Sequence, residues 1–268
     1  MTLLRVEGLT RRFSGLVAVD GVDMVVEAGG VHAVIGPNGA GKTTLFNLVS
    51  GLVAPSSGRI VLEGVDIGGA PPERRAAAGL GRTFQNIRVF GGMTVLENVL
   101  TGLHVRLRAG FAGVLLRLPG FRAEERGAVA RARAALEVVG LADVADRRAG
   151  SLSYGDQRRL EIARALAPEP RLLLLDEPAA GMNPAETEGL ATLVRRLRQL
   201  GTTVLLVEHD MGFVMDISDR VTVLNFGRKI AEGTPVEVRQ DPAVVEAYLG
   251  PKVAARLAAG AKAGVRGV

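Results

Sequence analysis

The sequence predicts an α/β fold, an open sheet built around a phosphate-binding loop, with an antiparallel β layer ahead of it and a helical subdomain inserted behind it. Three observations carry this. The β-branched run Val31–Ile35 reads as a buried strand, Leu45–Val49 reads as a helix start, and between them lies a glycine-rich loop. Leu172–Leu175 and Thr203–Val207 are equally apolar short runs, separated by a helix-patterned stretch. Residues 3 to 30 alternate apolar and polar side chains, whereas from Asn86 to Val139 the apolar positions recur at helical spacing.

The loop reads Gly36-Pro37-Asn38-Gly39-Ala40-Gly41-Lys42-Thr43-Thr44, a G-x-x-x-x-G-K-T sequence. Its glycines let the backbone turn tightly, so that successive N–H groups and a helix N-terminus converge on one point, which favours a phosphate. Lys42 then reaches the β- and γ-phosphates of a nucleoside triphosphate, and the Thr43 hydroxyl ligates Mg²⁺. Only four of the 33 basic residues are lysine. A chain so biased to arginine keeps Lys here because a compact ammonium fits inside a phosphate-wrapping loop where a planar guanidinium does not.

Taken in order, Leu3 and Val6, then Val22, Met24 and Val26, give the β layer. Phe13 lies in its middle and serves either the core or an adenine ring. Pro55–Gly58 is a turn, Arg59–Glu63 a short strand, Gly68-Gly69 a second turn, and Leu80–Phe84 a strand ending in Gln85. Val95, Val99 and Leu103 mark a helix; the apolar stretch Leu107–Gly120 reads as a local helical hairpin, and 128–139 as a further helix. Ser151-Leu152-Ser153-Tyr154-Gly155-Asp156-Gln157 opens a helical segment running from Arg158 to Ala167. The strand Leu172–Leu175 ends in Asp176-Glu177, at the sheet edge where α/β proteins bind ligands. Asn183-Pro184-Ala185-Glu186 starts a helix that extends to about Leu200, Thr202–Asp210 is a buried strand ending in His209, and 221–233 forms a hairpin. The stretch Pro251–Val268 has no apolar periodicity and is expected to be an unstructured tail.

Composition narrows the function. The chain has 268 residues, 47% of them hydrophobic, enough for one sizeable core but short for two full ATPase units. No run of eighteen apolar residues and no signal-peptide stretch at the N-terminus point to a soluble intracellular protein. Cysteine is absent, which removes disulfides and thiolate metal sites, and no two of the three histidines have metal-ligand spacing. A net charge of +5 raises nucleic acid as a partner, but the arginine clusters are scattered and lack interleaved aromatics, so no nucleic acid is expected.

The order of the P-loop, Gln85, L-S-Y-G-D-Q, L-L-L-L-D-E and E-H-D resembles the ATP-binding cassette ATPases over residues 3 to 250. Arg82-Thr83-Phe84-Gln85-Asn86, the segment 110–122, Tyr154 to Glu161, Pro178 to Pro184 and Tyr248-Leu249-Gly250 more narrowly resemble the longer of the two ATPases in branched-chain amino acid importers. The resemblance implies a P-loop NTPase, RecA-like core with its β subdomain (1–86 and 164–250), a helical subdomain (87–163) and a tail (251–268). It implies ATP and Mg²⁺ as cofactors. Gly36 to Thr44 hold the phosphates; Thr43, Gln85 and Asp176 serve the metal. Glu177 polarises the attacking water, His209 contacts the γ-phosphate and Phe13 stacks on adenine. Asn183 stands where the family usually has Asp, so any role needing that charge is in question.

Ser153 and Gly155 mark a second helix N-terminus with no P-loop of its own. In the resembled family this site closes on ATP held by a second ATPase subunit, so one chain is expected to be half of a dimeric engine. Integral-membrane permease subunits would dock after Gln85, a substrate-binding protein would act through them, and the place would be the cytoplasmic face of the membrane. Rival readings are a urea or amide importer, a lipid exporter, a cassette protein acting on ribosomes or DNA, and a P-loop kinase or GTPase. L-S-Y-G-D-Q and the lack of an N-K-x-D motif oppose the last.

Overall fold

Strand and helix periods in the sequence translate directly into elements of the computed structural model, which describes residues 1–103 and 119–250, with side chains from 124 onward in the second stretch. The helical hairpin expected at Leu107–Gly120 lies, for residues up to 118, outside the described residues, as does the tail expected at 251–268. Two compact units are formed: Met1–Gly69 with the described part of Val207–Val268, and Ala70–Leu206.

In the first unit, β1 (Thr2–Phe13) and β2 (Leu16–Glu27) form a hairpin, and β4 (Ser57–Leu62) and β5 (Val65–Asp66) extend it into an antiparallel sheet ordered β2-β1-β4-β5. The register pairs Val6 with Met24 and with Ile60, so the alternating apolar side chains bury one face: Leu4, Val6, Leu9, Val22, Met24, Val26, Ile60 and Leu62. β3 (Val31–Ile35) is buried at every position, as a strand covered on both faces must be, and pairs in parallel with β9 (Arg220–Asn225). β10 (Arg228–Gly233) returns antiparallel to β9, the expected hairpin. Helix α1 (Lys42–Ser50) follows the loop, and α7 (Met211–Ile217), α8 (Pro235–Gln240) and α9 (Pro242–Leu249) complete the unit.

The second unit holds α2 (Pro72–Ala77), β6 (Leu80–Arg82), α3 (Val95–Gly102), α4 (Pro119–Val139), α5 (Tyr154–Leu166), β7 (Leu172–Asp176), α6 (Pro184–Gln199) and β8 (Thr203–Val207). Its strands run in the order β8-β7-β6, with β6 parallel to β7. Thr94 and Glu97 close a capping box on α3, which turns Val95, Val99 and Leu103 fully inward as their spacing predicts.

Two strands are shorter than the sequence suggests. β6 stops at Arg82 rather than Phe84: Thr83 still donates its N–H to Leu174, but the Phe84 N–H and C=O are taken by Glu161 and Arg158 of α5. β8 stops at Val207, two residues before His209, because the Glu208 carboxylate accepts the His209 N–H in place of a strand partner. Helix α5 starts earlier than Arg158, at Tyr154, since Ser153 caps it by accepting the Asp156 N–H at 3.1 Å.

His32 in β3 is buried, with Nε2 2.8 Å from the Thr222 hydroxyl on β9. Burial pushes its pKa down to about 4; Glu232 opposes that shift, while Arg220 and Lys229 add to it. The fold therefore prefers neutral His32. Its contribution is complete above the unfolded value near 6.5 and is lost as pH falls from there to about 4, a loss of roughly 3 kcal/mol. Urea titrations at a series of pH values should show this loss in the wild type and a flatter profile over that window in His32→Asn; identical profiles would remove His32 as its source.

Candidate functional site

The phosphate loop belongs to the first unit. Gly36, Gly39 and Gly41 have φ of +153°, +79° and +99°, conformations that L side chains rarely adopt. Space excludes a side chain as well: a Cβ on Gly36 would lie 2.2 Å from the Leu224 carbonyl oxygen, and one on Gly41 2.4 Å from that of Ala18. The β9–β10 turn supports the loop from below, where Gly227 donates to Ala40 and accepts from Asp20. Gly41 caps α1 without a side-chain hydrogen bond, and no acidic residue sits in the first turn, so the positive end of the helix is uncompensated. An anion suits that position.

Lys42 is buried, 7% exposed, and its Nζ donates to the carbonyls of Gly36 at 2.6 Å and Pro37 at 3.1 Å. The ammonium is thereby held inside the curve of the loop. Thr43 is exposed at the helix start, as a hydroxyl that meets a metal must be. Phe13 is 40% exposed at the end of β1, so it is not a core side chain, and the Arg11 guanidinium lies 4.5 Å from its ring centroid. The His209 side chain is 60% exposed, with Nδ1 3.6 Å from the carboxylate of fully buried Glu208.

The carboxylates belong to the second unit. Parallel pairing sets Arg82 opposite Leu174, so the chain leaving β6 runs beside the end of β7. There Arg82 Nη2 donates to Asp176 Oδ2 at 2.8 Å, and Gln85 Nε2 donates to Glu177 Oε2 at 2.9 Å. Burial pushes the Asp176 carboxyl above its usual range, and the Arg82 hydrogen bond and charge oppose that rise. Glu177 has a left-handed φ of +46°, a costly conformation for a side chain of its size, which turns the chain out of the strand directly after Asp176.

Ser153 and Gly155 come together at the N-terminus of α5, as expected. The Gly155 N–H is directed at Glu186 Oε1, 3.3 Å away, while the other oxygen of Glu186 accepts the Asn183 N–H at 3.0 Å. Asn183 in turn accepts the Glu186 N–H, so the uncharged residue does the capping. Tyr154 Oη donates to the Ala180 carbonyl at 2.9 Å. The stretch 180–186 and the start of α5 are thus fastened together at two points.

Sequence reasoning assigned no role to Arg82, Arg158 or Glu161, and it gave Glu186 the closing of the capping box but not its contact with Gly155. For Arg158 and Glu161 a signal existed: two opposite charges at i, i+3 on a helix, with Glu161 flanked by Leu160 and Ile162. The Arg82–Asp176 pair spans 94 positions and has no local signature.

Comparison with known proteins agrees with this geometry. The family profile described as ABC transporter matches residues 19–180, and one described as branched-chain amino acid ATP-binding cassette transporter matches 228–250. The high-affinity branched-chain amino acid transport ATP-binding protein BraF of Pseudomonas aeruginosa is 51% identical over 249 residues, covering 92% of this chain and 98% of BraF. The ADP conformation of MJ1267, an ATP-binding cassette of an ABC transporter, superposes with a TM-score of 0.82 at 36% identity, covering 94% of this chain and all of the other. MJ0796, a cassette solved as a dimer with ADP and Pi in a post-hydrolysis state, gives a TM-score of 0.71 at 25% identity over 87% of this chain and 99% of its own. With the phosphate loop, the carboxylate pair and the second capped helix all in place, the chain belongs to the ABC transporter family, as one of its ATP-hydrolysing cassettes.

Proposed function

We propose that this cassette powers the import of branched-chain amino acids, as a peripheral subunit on the cytoplasmic face of the membrane. Among the described residues no helix is long and apolar enough to cross a membrane, and the path for the amino acid is assigned to permease subunits. The observation that carries the chemical reading is the Gln85–Glu177 contact directly after Asp176. It holds a carboxylate beside the strand end at which a water would attack the γ-phosphate. Gly36, Pro37, Asn38, Gly39, Ala40, Gly41, Lys42 and Thr44 hold the phosphates, Phe13 stacks on adenine and His209 meets the γ-phosphate. Glu177 polarises the water.

By donor chemistry Mg²⁺ suits each residue assigned to it, since the Thr43 hydroxyl, the Gln85 amide and the Asp176 carboxylate each offer an oxygen, as a hard cation requires. When bound, the ion neutralises charge on the transferring phosphoryl group. Asp176 is already held at one oxygen by Arg82, which restrains the carboxylate and leaves its other oxygen as the one that would serve a metal.

For the permease, the second unit offers a groove of about 460 Å³ lined by Phe84, Arg88, Phe90, Gly102, Arg164 and Pro168. Phe90 is 52% exposed there, and guanidinium groups rim an otherwise apolar surface. A cytoplasmic permease segment with an apolar anchor and an acidic flank suits it.

Purification of the native complex tests this reading. Multi-span permeases should co-purify, and ATP turnover in proteoliposomes should rise when a binding protein loaded with leucine, isoleucine or valine is added. Phe90→Asp should cost about tenfold or more in permease affinity while the isolated cassette still hydrolyses ATP. Co-purification with ribosomes, or stimulation by urea or amides alone, would contradict the proposal.

A further inference from the structure

We propose that Arg158, paired with Glu161, is a positioning residue that ties the Gln85 loop to the helix beginning at Ser153, and so sets where Gln85 holds Glu177. This rests on the roles given above to Gln85 and Glu177.

Arg158 is 0% exposed and Glu161 1%, and they pair at 2.9 Å. A fully buried guanidinium without partners is costly; in Arg158 both Nη groups are matched, and Nε alone is left without a hydrogen bond. Here the fork is spent on main chain: Nη1 donates to the Phe84 carbonyl at 2.8 Å and Nη2 to the Gln85 carbonyl at 2.9 Å. Glu161 accepts from the Phe84 N–H at 3.4 Å and lies 3.7 Å from Arg164. One helix therefore holds Phe84 at both its N–H and its C=O, and Gln85 at its C=O. Two apolar side chains would fill the same volume without any grip on the backbone. Lysine could not reproduce the two-carbonyl geometry, because the planar fork fixes both donors at once.

What is gripped gives the arrangement its consequence. Gln85 carries the amide that meets Glu177, and Arg158 lies one turn beyond Tyr154, at the end of α5 where Ser153 caps and the Gly155 N–H meets Glu186. Any displacement of α5 on receiving an anion at that end is handed to the carbonyls of residues 84 and 85. The nucleotide-facing helix end and the Gln85–Glu177 contact are then two ends of one connection, with Arg158 as the joint.

The test uses the full chain and three changes. Arg158→Met with Glu161→Leu replaces the pair by apolar side chains of similar size, Arg158→Lys keeps the charge without the fork, and Gln85→Ala is made alone and in the double variant. The double variant should melt near the wild type and bind a fluorescent ATP analogue equally well. Its kcat should fall about tenfold or more with KM unchanged. Gln85→Ala should cost about as much alone, but add almost nothing in the double background. A folded double variant with kcat within about twofold of wild type, or full additivity with Gln85→Ala, overturns the inference. If Gln85→Ala alone is harmless, the role assigned to Gln85 falls and the inference with it; if it is damaging while the double variant is intact, only the inference falls. Should the double variant not fold, Arg158→Lys decides by the same split between kcat and KM: lowered kcat supports the joint and unchanged kcat overturns it.

Discussion

Glu177→Gln should slow ATP turnover by about a thousandfold while leaving nucleotide binding intact. The substitution keeps the volume and length of the side chain, and an amide oxygen at the same place still accepts from Gln85 Nε2, so the contact at 2.9 Å survives. Asp176 keeps Arg82. What disappears is the negative charge proposed to attract and polarise the attacking water, and a positioned base is worth about 10² to 10⁴ in rate, here roughly 4 kcal/mol of barrier. The two binding surfaces, the phosphate loop and the capped start of α5, are untouched. ATP should therefore still join two chains, and with hydrolysis blocked they should stay joined. Gel filtration in ATP and Mg²⁺ should reveal a stable dimer for the variant and monomer for the turning-over wild type, with single-turnover kinetics measuring the rate. Near-normal turnover would remove Glu177 from the role.

The parts of the site legible in the sequence are those whose chemistry is local. Gly36 and Gly41 had to be glycine because of backbone conformation and close carbonyls, and a glycine pattern announces that. Ser153, and Asn183 with Glu186, cap helices through contacts three residues away, within the reach of any sequence reading. The buried runs at β3, β7 and β8 were visible because strands covered on both faces are continuously apolar.

The parts not legible depend on long-range partners. Nothing near Arg82 says that it will meet Asp176, and nothing near Phe84 says that α5 will take its backbone hydrogen bonds and end β6 two residues early. Strand ends are set by which competing donor or acceptor wins, and here the competitor lies more than seventy residues away. Phe13 was ambiguous for a related reason. An amphipathic strand predicts a face, but the exposure of one side chain at a hairpin end depends on what else packs there.

Each ATP site is proposed to be shared, with Lys42 from one chain and Ser153 from the other, because each chain carries one phosphate loop and one α5 start. Lys42→Ala removes the buried ammonium of the loop, and Ser153→Arg replaces the cap of α5 with a large side chain at the surface meant to close on the partner's ATP. In a homodimer each change is present at both sites, so each protein alone should be inactive. A mixed dimer differs: one site joins intact Lys42 to intact Ser153, while the second collects both defects. The decisive measurement is ATP turnover of the two variants mixed across a range of concentrations, since dimer formation follows mass action. The shared site predicts that activity reappears from two inactive proteins, rising with dimer content toward what one working site permits. Full activity in either variant alone, or silence in mixtures that demonstrably dimerise, would contradict it.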